Sequence, residues 1–116
     1  MFEIHLFFSD FHSNESCYRR SLFVEIARCF LEINSKQAFK DTLFEPVLTL
    51  RTDRVANVRM KLISILPDLK RCLKLPRDQA LRTSLETVVR QIIVYDKDRD
   101  VQYAAQQVTI SIYKKI

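Results

Sequence analysis

The sequence predicts an all-α fold, an α-solenoid of about three two-helix repeats. The 116-residue chain contains no glycine, and most of its common residues are good helix formers. Apolar residues recur at the 3.6-residue period of a helix through most of the chain. A third observation is a pattern that occurs twice, 43 residues apart, as Asp53, Val58 and Arg59 and again as Asp96, Val101 and Gln102.

A related pattern lies upstream, where Arg19 and Leu22 precede Arg59 and Leu62 by 40 residues. A period of about 40 to 47 residues with two helices per period is typical of helical repeat proteins. A single helix pair cannot bury its apolar face alone, whereas stacked neighbours can. We therefore predict one repeat domain over residues 1–116, with repeats at about 1–33, 35–75 and 77–116.

Five helices follow from the periodicity and from the breaks between its runs. We expect them at residues 16–33, 36–50, 55–74, from about 77 to Tyr95, and 101–115. Residues 1–12 place Ile4, Phe7, Phe8 and Phe11 on one face and could form a further helix or an unstructured start. Prolines inside the pattern should kink the chain at Pro46 and Pro67.

Several positions are expected to form the core. In helix 16–33 the predicted buried stripe is Leu22, Ile26, Cys29, Phe30 and Ile33. In the later helices the predicted buried residues are Val58, Leu62, Leu66, Leu85, Val89 and Ile92.

The twice-occurring pattern has a structural explanation. An aspartate just before a helix can accept its free N–H groups, which suits Asp53 and Asp96. The valines at 58 and 101 fall on the buried stripe, and Arg59 is placed to reach a neighbouring acidic turn. Because Gln102 replaces the arginine in the third repeat, an Asp–Arg ladder between repeats would be incomplete there.

Catalysis and metal binding have little support in the sequence. His5 and His12 both lie in the uncertain first segment, with no nucleophile arranged around them. The acidic run at Asp96, Asp98 and Asp100 lacks the glycine and the twelfth-position acid of a calcium loop, since position 107 is Gln. We therefore expect a protein that is not an enzyme and that uses no cofactor or metal.

The three cysteines, Cys17, Cys29 and Cys72, are far apart and odd in number. Cys29 and Cys72 lie on or beside apolar stripes and are most simply buried thiols in a reducing compartment, which favours a cytoplasmic location. The N-terminus lacks the basic region of a signal peptide, and no apolar run is long enough to span a membrane.

The segment FEPVLTLRTDRVANVRMKLISILPDLKRCLKLP, residues 44–76, resembles the HEAT-repeat regulatory subunits of type-2A-related serine/threonine phosphatases. This resemblance implies a non-catalytic helical scaffold that holds a phosphatase catalytic subunit. In such scaffolds the turns inside the repeats form a ridge for the partner. Transferred to this chain, the ridge would consist of Arg51, Thr52, Asp53, Arg54, Lys97, Asp98, Arg99 and Asp100. The chain is much shorter than such scaffolds, which suggests a fragment or a short form.

Other functions remain open at this point. The net charge of +5 and the pI of about 9.3 also suit a basic solenoid that binds nucleic acid, although no basic cluster is interleaved with aromatics in the expected outer faces. A general protein-interaction module of another assembly is a further alternative. Terminal helices without neighbours should leave Phe7, Phe8, Ile110 and Ile112 partly exposed, which predicts self-association.

Overall fold

The computed structural model describes residues 16–113, with side chains described for residues 16–110. Within this range the chain forms six α-helices and one 3-10 helix and contains no strand. The helices are α1 (Cys17–Ile33), α2 (Lys36–Thr42), α3 (Phe44–Leu48), the 3-10 helix (Thr49–Thr52), α4 (Ala56–Arg71), α5 (Gln79–Tyr95) and α6 (Arg99–Tyr113). The expectations for residues 1–12, including His5, His12, Phe7 and Phe8, lie outside the described residues.

The chain forms two compact units that divide between Leu62 and Ile63, inside α4. In the first unit, three phenylalanines from α1, α2 and α3 are fully buried: Phe23, Phe39 and Phe44. The ring centroids of Phe30 and Phe39 lie 6.4 Å apart in a tilted arrangement. The aromatic side chains of this unit therefore supply much of its buried apolar volume.

The prediction for the buried face of α1 was right for Phe30, which is buried, but wrong for most of the stripe, and Ile26 is half-buried. Leu22 and Ile33 are 48% and 82% exposed, and Cys29 is also exposed. The face turned to the core instead carries Arg20, Phe23, Val24, Ala27 and Phe30. Apolar residues lie on both faces of this helix, so periodicity alone gave two possible stripes. The contacts with later helices select the second one.

The helix predicted at 36–50 is divided into α2, α3 and the 3-10 helix. Pro46 explains the first break, because it has no N–H to bond the carbonyl of Thr42 four residues earlier. The chain turns at Leu43, where φ is −115° and ψ is −17°. The apolar side chains of this segment that recur at the helical period are nevertheless all buried: Phe39, Leu43, Val47 and Leu50.

Helix α4 continues through Pro67 and ends at Arg71, three residues before the expected end. Asp78 then closes the connection to α5. Its Oδ2 accepts the N–H of Lys74 at 2.8 Å, and its own N–H bonds the Lys74 carbonyl at 2.8 Å. Helix α5 begins immediately afterwards at Gln79, two residues after the expected start.

In the second unit, α5 packs against α6. Leu85, Val89 and Ile92 of α5 are at most 3% exposed, and Val101 and Ala105 of α6 are fully buried. Tyr95, the last residue of α5, is 78% exposed. Val108 is half-buried, and the side chain of Ile112 lies outside the described range.

The predicted fold class is confirmed. The described chain is all-α, and helix packing within each unit is that of a helical repeat protein. All six residues predicted to form the later core are buried: Val58, Leu62, Leu66, Leu85, Val89 and Ile92. Among the described residues, no helix combines the length and the apolar character needed to cross a bilayer. The division into three repeats stays a prediction.

Candidate partner-binding turns

The first turn, residues 51–54, leads from the 3-10 helix into α4. Its side chains fold back on the preceding backbone: Arg51 Nη1 donates to the Leu48 carbonyl at 3.2 Å, and Thr52 Oγ1 to the Thr49 carbonyl at 3.3 Å. Asp53 Oδ1 accepts the N–H of Val55 at 2.9 Å. This aspartate therefore satisfies a backbone N–H at the entry to α4, as the sequence predicted.

Asp53 also forms a buried ion pair with Arg20 of α1. Arg20 donates from Nε to Asp53 Oδ2 at 2.5 Å and from Nη2 to Oδ1 at 3.0 Å. The two side chains are only 6% and 5% exposed. The hydrogen bond to Asp53 is the main cause that raises the pKa of Arg20, so this guanidinium stays charged wherever the protein is folded. Two-point binding of this kind fixes both the position and the angle of α1 relative to the turn.

Arg20 is a residue that the sequence analysis missed. The upstream pattern was aligned at a spacing of 40 residues, which places Arg19 opposite Arg59. The structure supports a spacing of 39, which pairs Arg20 with Arg59, Phe23 with Leu62 and Ala27 with Leu66. Both apolar residues of α1 gained in this way, Phe23 and Ala27, are fully buried. Shifting the alignment by one residue moves the assigned face by about 100° around the helix. This explains why Leu22 was assigned to the wrong face.

Arg59 also contacts the backbone of the first turn. Its Nη1 donates to the backbone carbonyl of Asp53 at 2.7 Å. The aspartate is therefore held twice, at its carboxylate by Arg20 and at its carbonyl by Arg59. An Asp–Arg pair of the kind expected for a ladder between repeats is present in the first unit, with Arg20 rather than Arg19 as the basic partner.

A second ion pair joins α1 to α4 in the first unit. Lys61 Nζ donates to Glu25 Oε1 at 2.6 Å, and Arg28 lies 3.4 Å from the same oxygen. The hydrogen bond from Lys61, followed by the charge of Arg28, lowers the pKa of Glu25 below its ordinary value of 4.5. The carboxylate and the ammonium are 39% and 42% exposed, so solvent weakens this pair relative to Arg20–Asp53.

The second turn, between α5 and α6, repeats the geometry of the first. Asp96 Oδ1 accepts the N–H of Asp98 at 2.9 Å, two residues on, as Asp53 does with Val55. Asp98 Oδ1 in turn accepts the N–H groups of Asp100 and Val101, and so caps α6. Val58 and Val101, the valines of the pattern, are both fully buried. The 43-residue repeat is thus visible in hydrogen bonds as well as in sequence.

Gln102 takes the position of Arg59 in the second occurrence of the pattern. Its Nε2 donates to the carbonyl of Ile93 in α5 at 3.2 Å. An amide can make this neutral contact within the repeat, but it cannot form an ion pair. The replacement therefore keeps the internal contact of the pattern and loses its charge.

The eight residues of the expected ridge differ in what they offer a partner. The Asp53 carboxylate is enclosed by Arg20, and Asp98 is occupied as a helix cap. The remaining charged side chains differ in solvent exposure: Arg51 is half-buried, whereas Arg54, Lys97, Arg99 and Asp100 are exposed. The positions that can meet a partner directly are therefore mainly basic. Whether the two turns share one edge stays a prediction.

The described residues hold no cluster of three or more His, Cys, Asp or Glu side chains that could bind a metal ion. No buried side-chain nitrogen or oxygen in the described part of the chain lacks a hydrogen-bond partner. Among the cysteines, Cys72 is buried as expected, but Cys29 is exposed and Cys17 is half-buried.

Comparison with known proteins gives one clear relationship. The chain is 41% identical over 87 residues to serine/threonine-protein phosphatase 4 regulatory subunit 4 of mouse, and equally so to the human protein. The match covers 75% of this chain and 10% of each relative, so the chain spans about a tenth of their length. No family model matches the chain, and no solved structure matches it.

This identity of 41% extends over three quarters of the chain. It agrees with the resemblance to phosphatase regulatory subunits that the sequence of residues 44–76 indicated. Over the matched 87 residues, the chain is therefore related in sequence to phosphatase 4 regulatory subunit 4.

Proposed function

We propose that this chain is a non-catalytic regulatory module that binds a serine/threonine phosphatase catalytic subunit. The observation that carries the proposal is the 41% identity to phosphatase 4 regulatory subunit 4. The catalytic subunit of phosphatase 4 is accordingly the first partner to test. A cytoplasmic location is part of the same proposal, supported by three cysteines that form no disulfide.

The exposed basic residues of the two turns are the proposed contact points. The internal hydrogen bonds of each turn hold its backbone in place, so Arg54, Lys97 and Arg99 extend from a fixed frame. A partner meeting preformed turns loses less conformational entropy than one that must order a loop. Exposed charges of this kind chiefly set the rate of association and the choice of partner.

The test is direct binding of the purified chain to the phosphatase 4 catalytic subunit. We expect the Arg54→Glu/Arg99→Glu variant to bind about tenfold more weakly, mainly through slower association. The matched control is Lys36→Glu/Arg90→Glu, which reverses the same number of exposed charges away from the turns. Equal binding by the wild type and both variants would remove the turns as the contact surface. No binding by the wild type would contradict the proposed function itself.

One observation favours nucleic acid binding as a second candidate function. Tyrosines flank the second turn, and Tyr95 and Tyr103 are 78% and 62% exposed beside Lys97 and Arg99. The sequence analysis had expected most aromatic side chains to face inward. Exposed aromatics next to basic residues suit stacking on single-stranded nucleic acid, but Asp96, Asp98 and Asp100 place three negative charges in the same turn. Binding to a single-stranded oligonucleotide that weakens steeply with salt would support this candidate.

A further inference from the structure

Two exposed tyrosines lie beside the second turn, and both belong to the second unit. Tyr95, the last residue of α5, is 78% exposed, and Tyr103, four residues after the start of α6, is 62% exposed. The hydrogen bond from Gln102 to the carbonyl of Ile93 holds the beginning of α6 beside the last turn of α5. Both rings therefore lie at the same end of the α5–α6 pair. The exposed aromatic and basic side chains at this end are named the tyrosine patch: Tyr95, Lys97, Arg99 and Tyr103.

The first turn provides an internal comparison for these rings. The spacing of 43 residues that aligns the two turns places Thr52 at the position of Tyr95 and Met60 at that of Tyr103. In both turns an aspartate accepts the N–H two residues further on, so the local backbone geometry is the same. Because the first turn forms this geometry with a threonine and a methionine, the tyrosine rings are not required to build the turn.

The two turns differ in what they can contribute to a protein interface. The first turn exposes Arg54 but has no aromatic neighbour, since residues 45–94 contain no Phe, Tyr or Trp. The second turn exposes two tyrosine rings together with two basic side chains. Tyrosine and arginine are enriched among the few residues that supply most of the binding energy of an interface. Only the second turn therefore combines large apolar contact area with charge.

The charges of the second turn favour a protein over a nucleic acid as its occupant. Three aspartates alternate with Lys97 and Arg99, so residues 96–100 carry a net charge of −1. Single-stranded nucleic acid requires a positively charged groove beside the stacking rings, and this segment does not supply one. A mixed row of charges around apolar rings suits a protein surface that presents charges of both signs.

We propose that the tyrosine patch is the anchor of the phosphatase catalytic subunit on this chain. The rings of Tyr95 and Tyr103 enter apolar pockets of the catalytic subunit, and Lys97 and Arg99 meet acidic side chains at the edge of those pockets. The first turn has charge without an aromatic anchor, so Arg54 affects chiefly the rate of association. The inference rests on the proposed function, because it takes the catalytic subunit as the occupant.

Dissociation of the full chain from immobilised phosphatase 4 catalytic subunit tests the inference. Tyr95→Ala and Tyr103→Ala should each raise the dissociation rate about tenfold or more, because truncating an anchor acts mainly on dissociation. Tyr103→Phe keeps the ring and should stay within about threefold of the wild type. The matched controls are Tyr18→Ala, which removes a tyrosine that is 84% exposed on α1, and Met60→Ala at the equivalent position of the first turn. Both controls should dissociate at the wild-type rate, and helix content by circular dichroism should be unchanged in every variant.

The possible failures are distinguishable. Wild-type dissociation rates for both tyrosine variants would overturn the inference and leave the proposed function standing. An equal increase for Met60→Ala would also overturn it, because the first turn would then be an anchor as well. If the wild type does not bind the catalytic subunit, the proposed function fails and the inference fails with it. Salt-dependent binding of a single-stranded oligonucleotide that both tyrosine substitutions abolish, with dissociation of the catalytic subunit unchanged, would assign the patch to nucleic acid and overturn the inference.

Discussion

Replacing Asp53 with asparagine should destabilise the protein far more than an ordinary single charge does. The asparagine oxygen can still accept the N–H of Val55, so the entry to α4 keeps its cap. The ion pair with Arg20 is lost, and the guanidinium, whose side chain is 6% exposed, stays charged without its carboxylate. Removing one partner of a buried pair costs about 3–5 kcal/mol. Out of a typical total of about 5–15 kcal/mol, this is a large fraction.

The assay is urea denaturation followed by circular dichroism, applied to a double-mutant cycle. Asp53→Asn and Arg20→Met should each be strongly destabilising, whereas the double variant should be destabilised by at least about 2 kcal/mol less than their sum. Asp100→Asn, at an exposed acidic position of the second turn, is the control and should shift stability by less than about 0.5 kcal/mol. A loss below about 1 kcal/mol for Asp53→Asn, or additive single effects, would refute the buried pair.

Three further predictions concern other parts of the chain. Leu66→Ala removes a fully buried side chain of α4 and should cost about 2–5 kcal/mol in urea denaturation, whereas Met60→Ala on the exposed side of that helix should cost less than about 1 kcal/mol. Because the pKa of Glu25 is lowered in the folded state, its contribution to the free energy of unfolding is complete above pH 4.5 and is lost as the pH falls through the folded pKa. The Glu25→Gln variant should lack this pH dependence of stability. The effect is at most about 1 kcal/mol, because both side chains of the pair are well exposed. A thiol reagent should label Cys29 in the native protein and leave Cys72, which is 1% exposed, unlabelled until the chain unfolds; equal labelling rates would contradict the orientation of α1.

The repeat and most of the later core could be predicted because they depend on local chemistry. Asp53 and Asp96 precede helices, and a carboxylate in that place bonds the free N–H groups whatever the tertiary contacts. The apolar stripes of α4 and α5 are bounded by polar residues, so the helical period predicted a single buried face for each helix. Val58, Leu62, Leu85 and the other predicted core residues of these helices are buried as a result.

The buried face of α1 could not be predicted in the same way. This helix carries apolar residues on both sides, and the deciding feature is an arginine on the buried side. Charged residues are almost never fully buried unless paired, and the partner of Arg20 lies 33 residues away in sequence. A search for spacings of 39 as well as 40 residues would have aligned Arg20 with Arg59 and identified the correct face.

The exposure of the candidate site residues could not be predicted from the sequence for the same reason. The sequence identified both turns, but it could not separate the side chains that build a turn from those that extend beyond it. Asp53 and Arg54 are adjacent and both charged, yet the first is enclosed by α1 and the second is exposed. That difference depends on a long-range contact, so composition and spacing carry no signal for it.

Hydrogen–deuterium exchange of the chain, with and without the phosphatase 4 catalytic subunit, tests the central claim most directly. If the turns are the contact surface, bound catalytic subunit should slow exchange of the backbone amides at residues 51–54 and 97–100 and leave the middle of α1 unchanged. The Lys36→Glu/Arg90→Glu control should give the same pattern. Protection confined to α1 or to the helix interiors, or unchanged exchange at a saturating concentration of catalytic subunit, would contradict the account.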